Sequence, residues 1–171
     1  MSEPATRRKR GNLKVGDVFE MEMPDGRLGY GAILIARKIL YVIVLRDLYE
    51  ERPPMSALVS APVALVGWTM DALIYHGRWK IAFRGYPDRS DIPYPNWKVE
   101  VSGALQTTNF AGDLLGPCRA DEVDLLDFKF SYSPIVYQSA LEAVHGLGEW
   151  KADYEELTPP LAFKRMTRAA N

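Results

Sequence analysis

The sequence predicts an α+β protein: a strongly curved, mostly antiparallel β-sheet or small barrel, followed by one or two C-terminal helices. The first two thirds alternate apolar and polar residues in short runs punctuated by glycine and proline. Near the end the apolar period lengthens to that of a helix. Strands first and helices last argue against a parallel, doubly wound sheet.

Val18, Glu20 and Glu22 alternate with Phe19, Met21 and Met23, as a strand with one wet face requires. Pro24-Asp25-Gly26-Arg27 supplies turn chemistry, because proline presets φ, Asp bonds its own backbone and Gly accepts positive φ. Leu28 to Ile35 then returns as a second strand. Its Gly29 and Gly31 predict a bulge, a bend or a close backbone approach. Ile39 to Leu45 reads as a third strand buried on both faces and Arg46 to Pro54 as a charged loop. Pro62 to Thr69, Trp79 to Phe83 and Trp97 to Val101 are the fourth, fifth and sixth strands, with an irregular connection from Pro87 to Pro95. Gly103 to Pro117 carries no clear pattern and reads mostly as loop.

Ser133-Pro134 opens a helix, with Ser as N-cap and Pro at the first position. Val136, Ala140, Leu141 and Val144 continue it at helical spacing until Gly146. A second, shorter helix is expected from Trp150 to Leu157, stopped by Pro159-Pro160.

The 171 residues, 47% hydrophobic and 25% charged, fit one soluble globular domain over 14–171. Residues 1–13, with Arg7-Arg8-Lys9-Arg10, read as a disordered basic tail. No stretch approaches the ~18–20 apolar residues of a membrane span, so no membrane partner is expected. A net charge of −1 speaks against a dedicated nucleic-acid binder. The lone Cys118 excludes an internal disulfide and indicates a reducing, cytoplasmic setting.

Charge is unevenly distributed. From Asp113 to Glu156 ten acids face three bases, which predicts an acidic surface on the C-terminal third. Within it, Asp121, Glu122, Asp124 and Asp127 are the candidate partner-binding residues.

The residues for catalysis are sparse. His76 and His145 are too few and too far apart for a zinc motif. His76 reads as a turn residue and His145 as a capping residue at a helix end. Cys118 lacks a local nucleophile signature and reads as a small buried apolar residue. Gly26, Gly29 and Gly31 continue into a strand rather than opening a helix, so they do not form a phosphate loop. The carboxylates Asp121, Glu122 and Asp124 could pair as in a glycosidase, but in an acidic segment they read as solvated. No catalytic residue, metal or cofactor is therefore expected. Tyr30, Tyr41, Trp68, Trp79, Phe83, Tyr86 and Trp97 fall on strands or their ends. Without interleaved Lys and Arg they read as core, and a small-ligand or nucleic-acid binding barrel is the competing interpretation, requiring an open aromatic cleft.

Lys14-Val15-Gly16-Asp17-Val18-Phe19, followed by Pro24-Asp25-Gly26-Arg27 and Gly29-Tyr30-Gly31, resembles the opening of the immunity protein 26 family of bacterial polymorphic toxin systems. Pro62-Val63-Ala64-Leu65-Val66, leading to Gly77-Arg78-Trp79-Lys80-Ile81, is similar to that family's later strand pair. The resemblance covers about residues 14–100, and the region beyond Gly103 has no counterpart in it. It implies a non-catalytic protein that binds and neutralises a cognate protein toxin encoded beside it.

Overall fold

The structure, a computed structural model, describes residues 13–128 and 130–166. The basic run at residues 7–10 lies outside them. In chain order the elements are β1 (Val18–Glu22), β2 (Leu28–Ala36), β3 (Leu40–Leu45), α1 (Met55–Ser60), β4 (Val63–Thr69), α2 (Ala72–Tyr75), β5 (Lys80–Phe83), β6 (Trp97–Val101), β7 (Ala104–Thr108), β8 (Leu114–Pro117), α3 (Ala120–Leu125) and α4 (Pro134–Val144). A 3₁₀ helix, Ala152–Leu157, and α5 (Pro159–Met166) complete the order. The fold is α+β, with antiparallel sheets and short helices, as expected.

Two compact units divide these elements. The first takes the chain as far as Asp88 and regains it over Ser131–Thr158; the second holds Arg89–Phe130 and the chain from Pro159.

The first unit is built on a five-stranded sheet in the order β4-β3-β2-β1-β5. Irregularities in register at Val18/Phe19, Ile33/Ile35 and Val44/Leu45 interrupt the ladders, as bulges do in a curving sheet. β4 and β5 remain edges, so the sheet is open and the barrel alternative does not hold. The β1–β2 turn closes as its residues dictate. Met23 N–H donates to Arg27 O at 2.8 Å, Gly26 takes φ +85°, and Asp25 Oδ1 accepts from Arg27 N–H.

Phe19, Met21, Met23, Ile33, Val42, Val44 and Leu65 form the core face, onto which α4 packs Tyr137, Ala140 and Leu141. The rings of Phe19 and Trp79 stack 4.6 Å apart and nearly parallel. Gly29 and Gly31 prove to be close-approach positions. A Cβ on Gly29 would come 2.7 Å from Leu141 Cδ2, and one on Gly31 would collide with the Phe19 ring and come 2.5 Å from the Ile43 carbonyl. The bulge in β2 lies elsewhere, at Leu34.

The expected wet face of β1 is only partly wet. Glu22 is exposed, but Val18 and Glu20 are buried, and Tyr30 and Arg52 reach over the Glu20 carboxylate. At α4, Pro134 occupies the first position and Ser133 the N-cap, although the Ser133 side chain makes no capping bond. Gly146, at φ +71°, ends the helix, and Leu147 N–H folds back to Glu142 O at 2.9 Å.

Two further expectations are corrected. Pro159-Pro160 begins α5 instead of only stopping the preceding turn, since proline at a helix start sacrifices no intrahelical hydrogen bond. Gly103 to Pro117, read as loop, contains β7 and β8. In the second unit β6, β7 and β8 form an antiparallel sheet. Val101 pairs with Ala104 across a two-residue turn in which Ser102 and Gly103 have φ of +52° and +80°, matching the twist of a tight hairpin.

Candidate interaction surface

Glu20 on β1 faces Tyr30 on β2, directly opposite in register. The Tyr30 hydroxyl donates to Glu20 Oε2 at 2.7 Å, while Arg52 donates through Nε to Oε2 at 3.0 Å and through its terminal nitrogen to Oε1 at 3.2 Å. Burial pushes the Glu20 carboxyl up, but the bonds from Arg52 and Tyr30, with the charges of Arg52 and Lys80, outweigh it and hold the pKa below its ordinary value. The Tyr30 hydroxyl is raised, first by burial and then by its bond to Glu20. A carboxylate held ionised by a two-point arginine and a phenol held protonated are poor proton exchangers near neutral pH. This trio joins β1, β2 and the loop after β3; its work is structural.

The two histidines play separate parts. His76 ends α2, its backbone N–H bonded to Ala72 O at 3.0 Å and its ring edge-on to Tyr75. His145 does stand at the end of α4, where its backbone N–H bonds the last carbonyls, but its side chain does not cap that helix: Nε2 meets the carbonyl of Arg46 at 2.6 Å. Cys118 is half-buried, with its sulfur 3.3 Å from the Thr107 hydroxyl and no histidine among its bonded partners. Among the described residues no cluster of three His, Cys, Asp or Glu is arranged to hold a metal ion, and no helix is long and apolar enough to cross a membrane. Of the aromatic residues considered as a stacking platform, Tyr30, Tyr41, Trp79, Tyr86 and Trp97 are buried, and Trp68 and Phe83 are half-buried. These seven rings therefore form no open cleft for the small-ligand or nucleic-acid reading.

The first unit does carry a groove of about 780 Å³ by the β2–β3 turn, lined by Arg37, Lys38, Met70, Tyr75 and His76 among others.

The acids expected from Asp113 to Glu156 divide between the units: Glu142, Glu149, Asp153, Glu155 and Glu156 belong to the first, whereas the four candidates lie in the second, on α3 and just beyond it. Asp121, Asp124 and Asp127 are exposed, whereas Glu122 is 4% exposed. Glu122 Oε2 accepts the backbone N–H of Arg119 at 2.9 Å and the Thr107 hydroxyl at 3.0 Å. It thus satisfies a donor at the start of α3 and ties the helix to β7. The four candidates therefore split: three carboxylates face solvent, and Glu122 is committed to holding the helix.

Lys98 on β6 secures this segment. Its Nζ donates to Val123 O at 2.7 Å, its backbone N–H donates to Asp127 O at 3.0 Å, and its ammonium sits 5.3 Å from the centre of the Phe128 ring. Beyond Asp127 the segment presents Phe128 and Phe130, 53% and 57% exposed. Sequence reasoning passes over both rings. The signal that could find them is the alternation Asp127-Phe128-Lys129-Phe130, which places rings in a charged run that belongs to no expected strand or helix.

These features define an α+β protein whose buried carboxylates serve its scaffold and which presents three exposed acids and two exposed rings on the segment 121–130. The family model for Immunity protein 26 matches residues 14–103, and the chain belongs to that family. No curated protein and no solved structure matches it. The residues that carry the likeness prove to be structural. Gly16 at φ +84° lies against the Tyr86 backbone, buried Asp17 accepts the Lys14 N–H at 2.9 Å, Gly31 admits the Phe19 ring, and Trp79 stacks on that ring.

Proposed function

We propose that this protein is an immunity protein that binds a cognate bacterial toxin and neutralises it in the cytoplasm without catalysis. Membership of the Immunity protein 26 family over residues 14–103 is the observation that carries this reading. The exposed carboxylates of Asp121, Asp124 and Asp127 form the recognition face, and the partner is a protein with a basic surface such as a nuclease. Residues 14–171 work as one domain; the chain passes between the two units at residues 88–89, 130–131 and 158–159.

Co-expression with the product of the neighbouring gene tests this. The wild-type chain is expected to restore growth and to co-purify with the toxin. Asp121→Asn/Asp124→Asn/Asp127→Asn should fold normally and protect less, with affinity lowered about tenfold or more at low salt and less at high salt. Glu122→Gln should instead lower the melting temperature. Full protection and unchanged affinity from the triple variant would remove the acidic face from the account.

A further inference from the structure

We infer that Phe128 and Phe130 are the apolar anchors of the partner surface, and that the toxin meets them with an apolar recess bordered by lysines or arginines. This rests on the immunity reading and adds the residues that supply most of the affinity. A single exposed phenylalanine is unremarkable, but here two rings, each more than half exposed, lie two residues apart. The backbone leading to them is held by Lys98, which bonds Val123 O and Asp127 O and covers one face of the Phe128 ring. An apolar anchor whose preceding backbone is tied down, as Phe128's is at Val123 and Asp127, loses less conformational freedom on binding, and buried aromatic residues at the centre of an interface dominate its energy.

The occupant follows from charge. Asp121, Asp124 and Asp127 lie on the same stretch as the rings, and all three are exposed. From Arg119 to Phe130 four acids outnumber two bases, Arg119 and Lys129, and Arg119 is engaged by Asp121 at 3.4 Å and Glu122 at 3.5 Å. A second copy of this chain docking symmetrically through the patch would set these acids against their own equivalents, which opposes association. A basic partner gains attraction from the same acids. The anchors also fall outside residues 14–103, so recognition is carried by the chain's continuation beyond the shared segment.

The experiment uses the full chain and the purified neighbouring toxin. Phe128→Ala/Phe130→Ala is expected to keep the wild-type melting temperature and to raise Kd about 30-fold or more, mainly through faster dissociation. Hydrogen exchange on the wild-type complex supplies a test that needs no variant: residues 127–130 should become protected on binding. If the wild type binds and protects but the double variant binds equally well, or residues 127–130 gain no protection, the anchor assignment is overturned while the immunity reading stands. A wild-type chain that neither binds nor protects overturns both. Self-association of the free protein that disappears in the double variant would assign the patch to a second copy and overturn the inference.

Discussion

Glu20 is where the alternation of β1 meets the folded interior. Its place in the pattern faces solvent, yet Tyr30 and Arg52 cover it, and the carboxylate stays ionised because three hydrogen bonds and the neighbouring positive charges replace its water. Its folded pKa lies below the ordinary value of 4.5. The stability it contributes is therefore fully present above about pH 4.5 and lost as pH falls through the folded value. Glu20→Gln should cost about 1–3 kcal/mol at pH 7. That cost should shrink on acidification, in paired urea titrations at pH 7 and pH 3.5. A constant difference between the two proteins across that range would show that the charge of Glu20 contributes nothing.

At the scale of elements, α4 and the sheet are shaped for each other. Gly29 leaves room for the Leu141 side chain, and Gly67 leaves room for the Tyr137 hydroxyl, which donates to Trp68 O at 2.8 Å. Leu141→Ala should destabilise the protein by about 2–5 kcal/mol, measured by urea or thermal unfolding, because the cavity opens over the bare Gly29 backbone, and Met23 and Leu48 beside it can refill it only in part. The hairpin of β1 and β2 and the course of α4 were legible in sequence, since turn chemistry and apolar period are local. Gly29 and Gly31 were legible only as a bulge, a bend or a close approach, and the fold selects the last. β7 and β8 were not legible. The turn Ser102-Gly103, which joins β6 to β7, is a recognisable hairpin signal, but β7 and β8 are short, and the exposed Leu114 and Leu115 of β8 blur the alternation. The covering of Glu20 by Arg52 escaped for a different reason, because the two residues are 32 positions apart and only the fold brings them together.

For the whole molecule, the residues that identify the family and those proposed to recognise the partner occupy different places. Gly16, Asp17, Gly31 and Trp79 pack or bend the first unit. Asp121, Asp124, Asp127, Phe128 and Phe130 face solvent on the second. The acidic segment was legible as charge, but its division was not: a helix start must satisfy its free N–H groups, and Glu122 is the acid positioned to do so. The rings were hidden because no periodicity marks a residue that stays about half exposed.

The central claim is neutralisation by binding, and mixing purified protein with purified toxin tests it most directly. Toxin activity should fall linearly and vanish at about one equivalent, with a stable complex recovered by gel filtration, as tight stoichiometric binding requires. Undiminished toxin activity in excess protein, or inactivation by far less than one equivalent, would contradict it.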